Sequence, residues 1–199
     1  MKLLAIHGSP RKSWNTARIL ESIPLGAIRA GAETETAHLR DIDFKGCISC
    51  FNCKLVGGPS YGRCAIRDDL SEVLQKAREA DVIVLGAPVY FGAESSLMRA
   101  CMERLLFQYP VYSNRQEALA PKKATALVYT RNSPEGGYGG VDTNSFIKLS
   151  HAFLTRVFCS CQVFPFHSTL HIQDYSPYAA PGSTARPGSG AAKEPPPAP

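Results

Sequence analysis

The stretch CISCFNCKLVGGPSYGRC, residues 47–64, carries four of the chain's seven cysteines. Cys47, Cys50 and Cys53 follow one another at CxxCxxC spacing, and Cys64 comes after ten further residues. Three thiolates so closely strung suit a compact [4Fe–4S] cubane, which takes three ligands from such a run. Zinc more often uses two separated CxxC pairs. The intervening KLVGGPSYGR has three glycines and one proline, and lengthening a flexible loop costs little closure entropy, so Cys64 can fold back as a fourth ligand. A cluster, a zinc ion and free or reversibly oxidised thiols all remain open.

The other reactive residue types are less informative. Cys101 falls on an apolar helical stripe and reads as a small core residue, and Cys159 and Cys161 read as structural at a helix-to-strand junction. The five histidines are dispersed, with no pair at metal spacing and no Ser/His/Asp arrangement, so no side chain is singled out as a catalytic acid or base.

Two further stretches could hold a ligand. GSPRKSWNT, residues 8–16, links an apolar run to a helical one. Its Ser9, Ser13, Asn15 and Thr16 offer hydroxyl and amide donors and Arg11 adds charge. With the free N–H groups of a helix start, these are the ingredients of a phosphate site. The spaced glycines of a dinucleotide fingerprint and the Gly-Lys-Ser/Thr of a nucleoside-triphosphate loop are both missing. GAPVYFG, residues 86–92, places Pro88, Val89, Tyr90, Phe91 and Gly92 in a turn where backbone and aromatic area meet.

These loops need a scaffold. KLLAIH (residues 2–7), residues 33–40, DVIVLGAPVY (81–90), KATALVYT (123–130) and residues 163–172 read as five strands. Between them lie four helical stretches. Residues 16–30 form one, with Pro24 expected to kink it. A second opens with Asp69 as N-cap and Glu72 as its capping-box partner, striped by Leu70, Val73, Leu74 and Ala77. Met98, Cys101, Met102 and Leu105 stripe the third; Phe146, Leu149, Phe153 and Val157 stripe the fourth. Alternating strands and helices indicate a doubly wound α/β sheet of parallel strands. Ligands of such sheets sit beyond the carboxyl ends of the strands, where the two loops above and TRNSPEGGYGG (130–140) fall.

Composition narrows the class. The chain has 199 residues, is 44% apolar and contains no run long enough for a membrane span. Its N-terminus does not read as a secretory signal, so a reducing, cytoplasmic setting is expected. The net charge of +5 comes from 22 basic and 17 acidic residues scattered along the chain, which argues against a nucleic-acid surface and suits a small anionic ligand. From residue 176 onward Pro, Gly, Ala and Ser dominate without periodicity, and a disordered tail over 176–199 is expected.

GSPRKSWNT, the CxxCxxC run continuing to CAIRDDL, and GAPVYFG followed by a helix ending in MERL, in this order, resemble the NADPH-dependent FMN reductase and iron–sulfur flavoprotein family. The resemblance covers residues 1–175. It implies a flavodoxin-like fold with five parallel strands in the order 2-1-3-4-5, FMN as cofactor and NADPH as electron donor. Carried over by position, Ser9, Arg11, Asn15 and Thr16 would hold the FMN phosphate, and Pro88, Val89, Tyr90, Phe91 and Gly92 would border the ribityl chain and ring. Cys47, Cys50, Cys53 and Cys64 of the 46–67 loop would be the cluster ligands; because this loop joins the second strand to the helix starting at Asp69, it is expected near the carboxyl edge, on the flavin's side of the domain. The implied activity carries electrons from NAD(P)H through FMN to a quinone, flavin, metal or protein acceptor. The alternative is an electron carrier or redox sensor that exchanges electrons with a ferredoxin-like partner and has no NAD(P)H site. A third reading is a degenerate fold that binds FMN poorly. The chain departs from the family pattern in its longer Cys53–Cys64 loop, in Trp14, and in lacking a helix after the last strand. Without that helix an apolar strip of sheet is left bare, so a homodimer or higher oligomer is expected.

Overall fold

The computed structural model describes residues 1–111, 119–135 and 145–170. Its elements are β1 (Lys2–His7), α1 (Asn15–Arg29), β2 (Glu33–His38), α2 (Leu70–Glu79), β3 (Val82–Tyr90), β4 (Ala93–Glu94), α3 (Ser96–Phe107), β5 (Lys123–Thr130), α4 (Ser145–Phe158) and β6 (Cys159–Phe166). The long strands pair in parallel in the order β2-β1-β3-β5-β6, the flavodoxin-like arrangement, and short β4 turns back antiparallel on β3. β1 and β3 are apolar because both faces of the sheet are covered over them. On one face Leu4, Ile6, Ile83, Leu85, Leu127 and Tyr129 meet buried residues of α2, α3 and α4. On the other, Leu3, Ala5, Val84 and Val128 pack against Leu20 of α1.

The stripes expected on α2 (Leu70, Val73, Leu74, Ala77) and α3 (Met98, Cys101, Met102, Leu105) are all buried. The stripe on α4 is corrected. Ile147, Ser150, Leu154, Val157 and Phe158 face inward, while Leu149 and Phe153 are 53% and 55% exposed; the Phe146 side chain lies outside the described residues. Both stripes are apolar, so periodicity cannot choose between them. The choice falls to packing, which sets Phe158 edge-on to Tyr109 with centroids 5.5 Å apart.

Three local expectations also change. β6 starts at Cys159 rather than at 163, because one residue in the left-handed region (Cys159, φ 80°) turns the chain directly from α4 into the sheet. Cys159 and Cys161 therefore lie within the strand. The last two residues of the expected strand, 171 and 172, lie outside the described residues, as does the 176–199 tail. Asp69 precedes α2 but makes no side-chain cap; its carboxylate accepts from the Asp43 N–H at 2.9 Å. The start of α2 is held through Ser71, which accepts from the Asp68 N–H at 3.1 Å and donates to the Ile66 carbonyl at 3.0 Å. Pro24 lies inside α1, which continues as one helix to Arg29.

Among the described residues α1 is the one helix on its face of the sheet. Phe164 and Phe166 of β6 align in register with Val128 and Thr130 of β5 and so share that face. They are 45% and 39% exposed. No helix among the described residues is long and apolar enough to cross a membrane.

Candidate functional site

β1 ends at His7 and β3 runs alongside it, so the segments after these two strands border the crevice where strand order reverses. Gly8 starts the first segment, donating to the Gly86 carbonyl at 2.8 Å. A Cβ on Gly8 would lie 2.7 Å from the Cβ of Met98, so only glycine lets the loop pass this close to α3. Buried Ser9 accepts from the Arg11 N–H at 3.1 Å. The Arg11 guanidinium stands 5.7 Å from the Trp14 ring centroid. Trp14 occupies the N-cap of α1 without a side-chain cap, and the first turn holds no acidic residue. The opening N–H groups of α1 thus face the loop without a capping side chain, which makes this end attractive to an anion. Thr16, also buried, places its hydroxyl 2.8 Å from that of Thr130 at the end of β5.

Ser9, Arg11 and Thr16 are therefore brought onto one loop and helix start. Asn15 is engaged differently. Its amide donates to the Leu170 carbonyl at 2.7 Å, and the Trp14 indole donates to the same oxygen at 2.9 Å. Beneath the loop, His7 and His38 end two strands paired in register, and their Nδ1 atoms are 3.2 Å apart. Burial, and then His38, push His7 down to about 4, with Asp41 pulling the other way. Sequence spacing hid this pair; alignment of two predicted strand ends is the signal that could have found it.

The segment after β3 is a tight hairpin. Val89 pairs with Glu94 and Tyr90 with Ala93, leaving Phe91 and Gly92 at the turn with φ of 50° and 85°. Two positive φ values suit the right-handed twist of a hairpin, and glycine accepts one readily. At Phe91 the conformation is costly, yet its ring is fully exposed beside half-exposed Tyr90. Strain held in an exposed aromatic residue points to function rather than packing. Below the turn, buried Glu94 accepts from Tyr129 and Ser150, both at 2.5 Å, and its second oxygen lies 3.5 Å from Arg99. A glutamate two residues past a glycine turn gave no sequence signal of this burial. The third expected loop is described only to residue 135, where buried Arg131 donates to His167 at 2.8 Å.

The cysteine loop passes Ser49 and Phe51, both in the left-handed region, and brings Cys47, Cys50, Cys53 and Cys64 to one cavity shared with Arg104, Phe107 and Gln108. Cys53 is buried, Cys47 and Cys64 partly so, and Cys50 exposed. Burial chiefly pushes the Cys53 thiol up, and the other three sulfurs add to it. Glu103 accepts from the Cys47 N–H at 3.2 Å and Gln108 from the Cys64 N–H at 3.1 Å. Lys54 reaches the carbonyls of Phe107 and Pro110. Among the described residues, no three His, Cys, Asp or Glu side chains are gathered as a metal-binding group. The four thiols nonetheless line a common cavity.

The cysteine loop packs against α3. Its contacts run along α3 from Ala100, beside Gly46, to Gln108, and Met98 of the same helix meets Gly8. Met98 to Arg104 covers about 9 Å of axis, and Met98 to Gln108 about 15 Å. Glu103, Arg104 and Gln108 hold the loop against the helix. Arg104 was missed as well. It lies on the same helical face as Cys101, Leu105 and Gln108, which is the signal that it turns inward. Cys101 is a core residue as expected; burial pushes its thiol up to about 12.

Residues 1–144 match the NADPH-dependent FMN reductase family. The chain belongs to that family. It is an oxidoreductase of the NAD(P)H-dependent FMN reductase type. It is 34% identical to an iron–sulfur flavoprotein of Methanocaldococcus jannaschii, over 92% of this chain and 82% of that protein. In fold it resembles an NAD(P)H:quinone oxidoreductase from Methanothermobacter marburgensis (TM-score 0.69, 16% identity, 88% of this chain and 90% of that one). A second likeness is an FMN-dependent NADH-azoreductase of Bacillus anthracis in complex with FMN (TM-score 0.59, 14% identity, 86% and 90%). The sheet order of this reductase-family chain accords with that membership.

Proposed function

We propose that this chain carries electrons from NAD(P)H through FMN to a quinone, flavin, metal or protein acceptor. The observation that carries the reading is that two features follow the adjacent parallel strands β1 and β3, at the switch in strand order. One is the side-chain-uncapped start of α1 with Ser9, Arg11 and Thr16; the other is the exposed Tyr90–Phe91–Gly92 turn. The first is a cradle for a dianionic phosphate, and the second offers flat aromatic area to a ring. FMN, when bound, supplies hydride acceptance at N5. The chain's own work is to bind and orient it. Ser9, Arg11, Thr16 and the first N–H groups of α1 hold the phosphate. Asn15 contributes once its amide leaves the Leu170 carbonyl. Pro88, Val89 and Gly92 present backbone to the ribityl chain, while Tyr90 and Phe91 cover the ring and exclude water.

Reversing one charge tests the cradle. Arg11→Glu sets a carboxylate against the phosphate and is expected to weaken flavin binding by several kcal/mol, roughly what exchanging attraction for repulsion at a helix start implies. The variant purifies colourless and its NADPH oxidation needs added FMN. Purification as yellow as the parent rejects the assignment.

The four-thiol cavity favours a second reading, in which Cys47, Cys50, Cys53 and Cys64 hold a [4Fe–4S] cluster and the chain exchanges single electrons with a ferredoxin-like partner. The residues fit such a group by donor type: four sulfurs line one cavity, three of them from a CxxCxxC run. Cys50→Ser is expected to remove broad visible absorption beyond the flavin bands and to leave FMN bound. Anaerobic reconstitution that yields no iron and no acid-labile sulfide rejects the cluster. Association into a homo-oligomer is supported by Phe164 and Phe166, partly exposed on a sheet face that α1 alone covers among the described residues. A monomer in light scattering at micromolar concentration rejects it.

A further inference from the structure

Among the described residues Arg104 is the largest fully buried side chain, with none of its side-chain surface exposed. A guanidinium is always charged and is rarely buried without work to do. Its contacts divide into two groups. One terminal nitrogen donates to Asp68 at 2.5 Å and to the Lys45 carbonyl at 3.1 Å, and the other donates to the Ile66 carbonyl at 3.3 Å. Lys45 precedes Cys47 by two positions and Ile66 follows Cys64 by two, so the planar fork fastens both ends of the cysteine loop to α3. The remaining Nε–H points at the Cys64 sulfur, 3.3 Å away. Among the described residues, Cys64 is the one sulfur of the four given a charged side-chain donor.

We propose that Arg104 is a positioning and tuning residue: it fixes Cys64 in the ligand cavity and, with Asp68 as its counter-charge, raises the reduction potential of the cluster held there. This rests on the cluster reading above. One-electron reduction breaks no bond and adds one negative charge to the metal–thiolate unit, the electron coming from the chemical reductant of a titration. A buried cation donating to a ligand sulfur stabilises that added charge, and hydrogen bonds to sulfur together with net charge are what set such potentials. Asp68 opposes it. Replacing the whole pair by apolar residues spares the fold an unpaired buried charge. Removing Asp68 alone leaves the cation uncompensated. The two changes must therefore move the potential in opposite directions, which a purely structural latch has no reason to do.

The test is an anaerobic redox titration of the reconstituted full-length protein, followed by the electron paramagnetic resonance signal of the reduced cluster. The expected result for Arg104→Met with Asp68→Leu is a potential lower by at least a tenfold shift in the one-electron equilibrium, about 59 mV. Asp68→Asn is expected to raise the potential, and Arg104→Lys, which keeps the charge, to stay closer to the parent than the double variant does. Should the double variant take up no cluster, the sign of the Asp68→Asn shift decides: upward supports the proposal, while unchanged or downward overturns it. A loaded double variant titrating with the parent overturns the role of Arg104 alone. A parent that takes up neither iron nor sulfide overturns the cluster reading and this inference with it.

Discussion

The hydroxyls of Thr16 and Thr130 meet at 2.8 Å inside the protein, joining the first turn of α1 to the last residue of β5 across 114 positions of sequence. This contact locks the helix start over the strand ends and fixes where its N–H groups point. Thr16→Val keeps the shape and strands the Thr130 hydroxyl, for an expected loss of about 1–3 kcal/mol of stability. Adding Thr130→Val makes the pair apolar and restores most of that loss. FMN affinity, measured by flavin fluorescence quenching, stays weaker in both variants by about 1 kcal/mol, roughly fivefold. Affinity that returns together with stability would show that Thr16 acts through the fold alone.

Phe91 separates stability from binding. Its left-handed backbone, φ 50°, costs a residue with a Cβ about 1–2 kcal/mol, and glycine is free of most of that cost. Because the Phe91 ring is fully exposed, Phe91→Gly forfeits no buried area. The variant should unfold at the same or higher denaturant concentration while binding FMN more weakly. A simultaneous loss of stability would mean that the ring packs on the protein.

Glu94 holds the hairpin from beneath. Glu94→Leu takes the shared acceptor from Tyr129 and Ser150, both buried, and each stranded hydroxyl costs about 1–3 kcal/mol. Glu94→Gln retains an acceptor oxygen and is expected to lose less than half as much in chemical denaturation. Equal losses in the two variants would assign the effect to the charge and its Arg99 contact at 3.5 Å instead.

His7 makes stability depend on pH. Its folded value, about 4, lies below the ordinary 6.5 because burial and His38 disfavour the cation. Below pH 6.5 the unfolded chain takes up a proton that the folded chain refuses. The contribution is therefore complete above pH 6.5 and is lost as the pH falls towards about 4. His167, lowered by burial and Arg131, acts in the same sense. The comparison with His7→Gln isolates the buried member of the pair: its denaturation midpoint should fall less between pH 7 and pH 5 than the parent's.

Much of the scaffold is legible locally. KLLAIH, DVIVLGAPVY and KATALVYT are apolar runs closed by turn residues, and burial on both sheet faces is the condition that makes such runs stable. The stripe of α2 was readable because that helix has a single apolar face, and that of α3 because its four residues recur at helical spacing. The stripe of α4 was not, since two overlapping apolar faces compete and only contact with Tyr109 and the sheet selects one. The Asp69 cap failed for a related reason: a neighbouring loop had an N–H, that of Asp43, to offer its carboxylate.

The sequence by itself determined the order of strands and helices, the donors crowded after β1, the aromatic turn after β3 and the four closely spaced thiols, because residue type and short-range spacing encode all of these. Only the tertiary structure decided which groups meet. It set His7 against His38, Tyr129 and Ser150 on Glu94, and Arg104 on Cys64. It also packed the cysteine loop against α3 and, among the described residues, left Phe164 and Phe166 partly exposed. Those pairings depend on strand register and helix rotation, which are fixed by the packing of whole faces and leave no mark at the spacing of neighbouring residues.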